Sequence, residues 1–444
     1  MDDYATDKRD VRPVHARRAV PHGGDLRIAI ERFGGPAERW IDLSTGINPH
    51  GYPVPAIDSQ AWLRLPDDHD GLAELAASYY GAQRALPVAG SQPVIRLLPD
   101  LLPRCSDTHA AHRSDAVGIA TLTYGEYAPA FARAGHRVLR YGVADRESLG
   151  LDASPGLSSP LGTSTSTSQR HSHSHSHSHS QNIKPADFIV YPGSALPPEI
   201  LHLVVVNPNN PTAEQFDADT LLDWHAQLTA RGGCLIVDEA FADVAPHASV
   251  AAHSALAGLV VLRSIGKFFG LAGARAGFTL AEPALLDALA AELGPWTLTG
   301  PTRAAVRAAL QDQAWQRTTR THLHEAGERL VALLSRRGLA PRGTPLFAWA
   351  PHCAAAALQK RLAGAAIWVR LFDDSAAGKR AAAFDSMSMS MSNSTNSSNE
   401  RESILPAYPS GLRFGLPGSK SAWDRLDAAL ADCADLIDAG AIKR

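Results

Sequence analysis

Cysteine is scarce in this chain: four in 444 residues, at Cys105, Cys234, Cys353 and Cys433. None forms a CxxC pair, which argues against a zinc ribbon or a disulfide scaffold and fits a reducing compartment. A surplus of one charge is also missing. The formal net charge is −3, with no basic block, which argues against a nucleic-acid protein that binds by neutralising phosphates. No apolar run is long enough to span a bilayer. The opening "MDDYATDKRDVRPVHARR" lacks the apolar stretch of a signal peptide. The expectation is a cytoplasmic protein with neither nucleic-acid nor membrane partners.

Large aliphatic residues are few in two stretches. Residues 155–184 include "STSTSQRHSHSHSHSHSQN", and residues 374–403 include "SMSMSMSNSTNSSNERES". Such Ser-rich, repetitive segments bury too little apolar surface to offset ordering entropy, so both read as disordered surface insertions. The five histidines of the alternating His-Ser tract have nothing to orient their rings. The tract reads as a simple-sequence expansion, with loose binding of zinc or nickel by a metal-handling protein as the lesser alternative.

What the rest contains is a substantial hydrophobic fraction, 45%, enough for a large core. "AVGIATLTY", "HRVLRYGV", "LHLVVVN", "CLIVDEAF" and "GLVVLRSIG" read as strands, and "GEYAPAFARAG" and "ADTLLDWHAQLTARGG" as helices between them. Apolar strands separated by helices predict a mostly parallel sheet covered on both faces. After Pro301 comes a long helical stretch, continuous or broken, and then short strands and a final amphipathic helix, "SAWDRLDAALADCADLIDAG". That pattern predicts a smaller α/β domain. The active site is expected where strand ends of the large domain face the small one.

Four elements carry chemistry at such strand ends. "NPNNPT" follows "LHLVVV"; Asp238 ends "CLIV"; Lys267 lies in "SIGKFFGLAGARAGF", between Ser264 and Arg275; and Arg413 sits inside "GLRFGLPG". Singly, each has a plain alternative: an Asn-Pro turn, a helix cap, a snorkelling lysine, a structural ion pair. Together and in this order they resemble the fold-type I pyridoxal-5′-phosphate enzymes of the aminotransferase superfamily.

The resemblance implies a large cofactor-binding domain around a seven-stranded type of sheet over residues 55–300. It also implies a small α/β domain over 301–444, with residues 1–54 packing on it at the site entrance. Lys267 would be the Schiff-base lysine. Asp238 would keep the pyridine nitrogen protonated so that the ring acts as an electron sink. Asn210 would bond the ring hydroxyl, and Tyr124 of "LTYGEY" would stack on the ring. Gly90, Ser91 and Gln92 of "VAGSQPVIRLLP" would form the phosphate cup at a helix start, with Ser264 and Arg275. Arg413 would grip the substrate α-carboxylate. Two departures stand out. Phe241 replaces a common Tyr, removing one donor to the ring hydroxyl. Leu65 in "LRLPDD" replaces a Tyr that in relatives reaches the neighbouring subunit of a homodimer.

"PHGGDLRIAIERFG", "IDLSTGINPHGYP", "RLPDDHDGL" and "GLRFGLPG" look like the cobalamin-pathway branch, which contains L-threonine-O-3-phosphate decarboxylases. The resemblance thus implies a small phosphorylated amino acid as substrate and (R)-1-amino-2-propanol O-2-phosphate with CO2 as products. Arg370 of "AAIWVR" would hold the substrate phosphate. Asn48 and Gly46 would line the entrance. His22 of "HGG" reads equally as a substrate contact or as a surface turn beside Gly23-Gly24. Transamination of histidinol phosphate or a similar amine is the alternative, because the rotation that selects the broken bond is not written in any one residue.

Overall fold

The computed structural model describes residues 23–103, 116–144, 187–372 and 410–439. His22 and both Ser-rich insertions lie outside the described residues. The strands in chain order are β1 (Ile41–Leu43), β2 (Leu86–Val88), β3 (Ala116–Ala120), β4 (Arg137–Val143), β5 (Phe188–Val190), β6 (Ile200–Val206) and β7 (Cys234–Asp238), then β8 (Leu259–Ser264), β9 (Gly277–Leu280), β10 (Arg342–Gly343), β11 (Phe347–Pro351), β12 (Ile367–Phe372) and β13 (Gly411–Gly415).

Eight strands form the large sheet, in the order β2-β9-β8-β7-β6-β3-β4-β5. All run in one direction except β9, which is antiparallel to both neighbours. The sheet therefore exceeds the seven-stranded type expected. One of the eight is the three-residue β5 at its edge, too short to register as a periodic run.

Every residue of β6 and β7 is buried, as a doubly covered parallel sheet requires. The period-2 alternation of strand side chains divides the core in two. Val204, Val206, Ile236, Val260 and Leu262 pack with helices Ser91–Leu101 and Pro283–Leu293. Leu203, Val205, Leu235, Val237, Leu259 and Val261 pack on the opposite face with helix Ala218–Thr229. The same alternation sets the chemistry. Asp238 and Ser264 continue the first set, so they project to one side at the strand ends. Glu239 and Arg263 fall on the other side, where Arg263 is fully buried between Glu239 at 2.5 Å and Asp243 at 2.8 Å.

The second sheet has the order β1-β12-β13-β11-β10. Its first strand comes from the N-terminal segment and pairs in parallel with β12. The long helical stretch is two helices, Gly300–Gln311 and Gln313–Arg336, because Asp312 caps the second through Trp315 N. The last amphipathic stretch is likewise two, Lys420–Ala431 and Ala434–Ala439.

Candidate active site

At the C-terminal ends of the parallel strands, one cleft is lined by Gly90, Gln92, Tyr124, Asn210, Asp238 and Lys267, with Ser91, Ser264 and Arg275 also on its wall. Parallel strands deliver their following loops to the same edge, which is why residues so distant in sequence meet there.

Lys267 follows β8 and is partly buried. Its ammonium is held well below the usual lysine range, at about 8, first by burial and then by the nearby charge of Arg413. Its Nζ lies 5.3 Å from the centroid of the Phe241 ring. Phe241 is buried edge-to-face against Phe347, 5.0 Å between centroids, and offers no donor at this position.

Asp238 ends β7. Burial raises its pKa, while hydrogen bonds from Tyr127 and Ala240 oppose the shift. Tyr127 Oη donates to Oδ2 at 2.8 Å and the Ala240 amide to Oδ1 at 3.1 Å. Lysine and aspartate are thus both biased towards their neutral forms. A cationic ring nitrogen facing Asp238 would reverse that bias for the carboxylate. Tyr127 escaped the sequence reading. Tyr124 lies in the loop and Tyr127 opens the helix Tyr127–Arg133, so no spacing rule in the sequence pointed to it.

The anion cup is built around the first turn of helix Ser91–Leu101. Gly90 is its N-cap and makes no side-chain cap bond, so the first amides remain directed at the cleft. Gly90 has φ +77°, and a Cβ there would stand 3.0 Å from Arg275 Nη2. Only glycine lets the guanidinium close the cup. The Gln92 side chain is engaged elsewhere: it donates to Glu126 at 2.6 Å and accepts from Tyr124 Oη at 3.0 Å. Its contribution to an anion is the backbone N–H. Ser264 Oγ accepts from Gly266 N at 3.2 Å, which leaves its hydroxyl proton for a ligand. These donors, a buried amine and a buried carboxylate fit a phosphorylated pyridine aldehyde.

Arg413 on β13 reaches the cleft from the second sheet. It donates to Asn210 Oδ1 and, at 2.5 Å, to the Ser44 carbonyl. Its Nε is buried without a partner among the described residues. Burial, and next the charge of Arg370, depress its pKa to about 9, with Asp42 acting the other way. Arg370 on β12 is the register partner of Arg413, and burial lowers its pKa as well. Two adjacent desolvated guanidiniums are a site for a ligand with two anionic groups.

Asn48 does not offer its carboxamide to the entrance. Its Nδ2 donates to Phe268 O at 2.9 Å, its Oδ1 accepts from His50 N at 2.9 Å, and its own amide donates to Lys267 O at 3.0 Å. It ties the N-terminal segment to the backbone that carries the lysine. Gly46 packs against Phe241 and Phe347. Leu65 is 69% exposed, beside Trp62 and Leu63 at 69% and 76%. Among the described residues, no group of three or more His, Cys, Asp and Glu side chains could hold a metal ion.

A family model for class I and II aminotransferases matches residues 39–373. A threonine-phosphate decarboxylase of Pseudomonas aeruginosa is 40% identical over 412 residues, covering 93% of this chain and 97% of that protein. One from Sinorhizobium is 38% identical over 360 residues, covering 80% of this chain and 90% of that protein. In fold, the chain is similar to the histidinol-phosphate aminotransferase of Sinorhizobium meliloti, solved in complex with pyridoxal-5′-phosphate. The TM-score is 0.61 at 17% identity, over 93% of this chain and 95% of that one.

Proposed function

The chain belongs to the class I and II aminotransferase family, and on that premise we propose that it decarboxylates L-threonine O-3-phosphate with pyridoxal 5′-phosphate as cofactor. The product is (R)-1-amino-2-propanol O-2-phosphate, destined for the cobalamin side chain, and the compartment is the cytoplasm. The observation that carries the reading is Arg413, whose charge acts on Lys267, with Arg370 as its register partner on the neighbouring strand. Two cations on neighbouring strands suit a substrate that is anionic at both ends.

Lys267 would hold the cofactor through its amine, Asp238 would serve the ring nitrogen and Asn210 the ring hydroxyl. Tyr124 would pack on the ring. The amides of Gly90, Ser91 and Gln92, with Ser264 and Arg275, would hold the phosphate. When bound, the cofactor supplies an electron sink for the bonding pair released when CO2 leaves Cα. Arg413 grips the α-carboxylate and Arg370 the substrate phosphate, which fixes rotation about the Cα–N bond. Lys267 Nζ returns a proton to Cα, a role suited to a buried amine that titrates at about 8. The aromatic wall of Phe241 and Phe347 keeps water from this exchange.

CO2 released from threonine phosphate without any 2-oxoacid is the expected result. Glutamate formed from histidinol phosphate and 2-oxoglutarate, with no CO2 from threonine phosphate, would replace this reading by transamination. We further propose a homodimer, supported by the exposed Trp62, Leu63 and Leu65, which a partner would cover. Sedimentation of the purified protein as a monomer would exclude it.

A further inference from the structure

Ser44 follows β1 and is fully buried, and it bonds in four directions. Its amide and its hydroxyl both donate to Asp42 Oδ1, at 2.8 and 2.6 Å. Its hydroxyl accepts from the Gly24 amide at 2.8 Å. Its carbonyl accepts from Arg413 Nη2 at 2.5 Å. The hydroxyl's one proton is committed to Asp42, so its acceptance from Gly24 has a defined direction. Gly23 lies against the same carbonyl, since a Cβ there would come within 2.2 Å of Ser44 O. Asp42 itself is anchored, because β1 pairs with β12 and aligns Asp42 with Trp368, two residues from Arg370.

We infer that Ser44 is a positioning residue that fastens the Gly23-Gly24 backbone onto the edge of the small sheet and fixes Arg413, so that this leading segment forms one wall of the substrate-carboxylate site. A hydroxyl on a short side chain is required because it must donate to Asp42 and accept from Gly24 at once. Alanine would leave the Gly24 amide without its acceptor and free the segment that abuts the arginine's carbonyl partner. Threonine preserves both bonds. The inference rests on the proposed function, because it assigns Arg413 to the substrate carboxylate.

The test compares the cofactor-loaded wild type with Ser44→Ala, Ser44→Thr and Gly23→Ala. Losing one buried hydrogen bond corresponds to about tenfold in affinity. KM for threonine phosphate should therefore rise about tenfold in Ser44→Ala, with kcat held within about twofold. Hydrogen exchange over residues 23–33 should accelerate in the same variant. Ser44→Thr should restore both. Gly23→Ala displaces the segment by pressing on the Ser44 carbonyl while the hydroxyl is kept, and should raise KM alike even if Ser44→Ala misfolds. An unchanged KM in Gly23→Ala, or in a folded Ser44→Ala whose exchange has accelerated, overturns the inference. If the wild type releases no CO2, it is the decarboxylase reading that fails. The coupling is then decided by spectral titration with small α-amino acids, where weaker binding in Ser44→Ala sustains it and equal binding overturns it.

Discussion

At the scale of single residues, Lys267 makes the sharpest demand. Its neutral form is the nucleophile, and burial brings its pKa from the ordinary 10.5 to about 8. Capture of pyridoxal phosphate by the cofactor-free protein should therefore quicken as pH rises, with a midpoint near 8. Stopped-flow absorbance measures this, and a midpoint near 10 would mean the amine is solvated. Borohydride reduction and peptide mapping should place the pyridoxyl adduct on Lys267. Lys267→Ala should abolish turnover while leaving the circular dichroism unchanged. Arg413→Ala removes charge-assisted bonds and orientation together, so it should raise KM and lower kcat. A loss of about 3 kcal/mol in kcat/KM, roughly two decades, is expected. Asp238 and Asn210 stood out at the ends of apolar strands and Lys267 and Arg275 in one motif after β8, and all four line one cleft. Tyr127 and Ser44 were not. Tyr127 reads as one more core aromatic, and the value of Ser44 lies in partners twenty and 369 positions away.

At the scale of elements, the longer strands of the large sheet were readable, since burial on both faces leaves near-continuous apolar runs, whereas helices Leu26–Phe33, Leu72–Tyr80 and Pro283–Leu293 were not read. The three-residue β5 and the two-residue β10 carry too little pattern. The break at Asp312 was hidden inside a stretch that is helical on both sides. The helix start at Ser91 has the clearest functional consequence. Gly90→Ala would force an alanine into φ +77°, ψ 172°, a region that costs about 1–3 kcal/mol outside glycine. It would also push on Arg275. Cofactor affinity, measured by equilibrium dialysis, should fall about tenfold or more. An unchanged affinity would show that the cup does not depend on this turn.

At the scale of the whole molecule, the site draws on both sheets, and Arg413 joins them by bonding Asn210 of one and Ser44 of the other. The segment between β4 and β5 joins the last two strands at one lateral edge of the large sheet, with β3 between them and β6. Deleting residues 169–181 should therefore leave turnover and Tm unchanged, as read by activity assay and thermal melting. A fall in either would give the His-Ser tract a part in the enzyme. The resemblance set residues 1–54 against the C-terminal part of the chain, but the parallel pairing of β1 with β12 was not legible. A three-residue strand carries no mark of its partner.

The reversed strand β9 has a consequence for how this protein can change over time. Ser264 and Gly277 are ladder partners, so β8 and β9 clamp both ends of the segment that holds Lys267 and Arg275. Amine and guanidinium are thus carried on one closed loop of fixed circumference. A single inserted or deleted residue would misplace both at once, and no compensating shift along either strand could restore one without dislodging the other. Lineages descended from this chain are free to lengthen almost any other connection, but this one they must keep residue for residue or lose the cofactor.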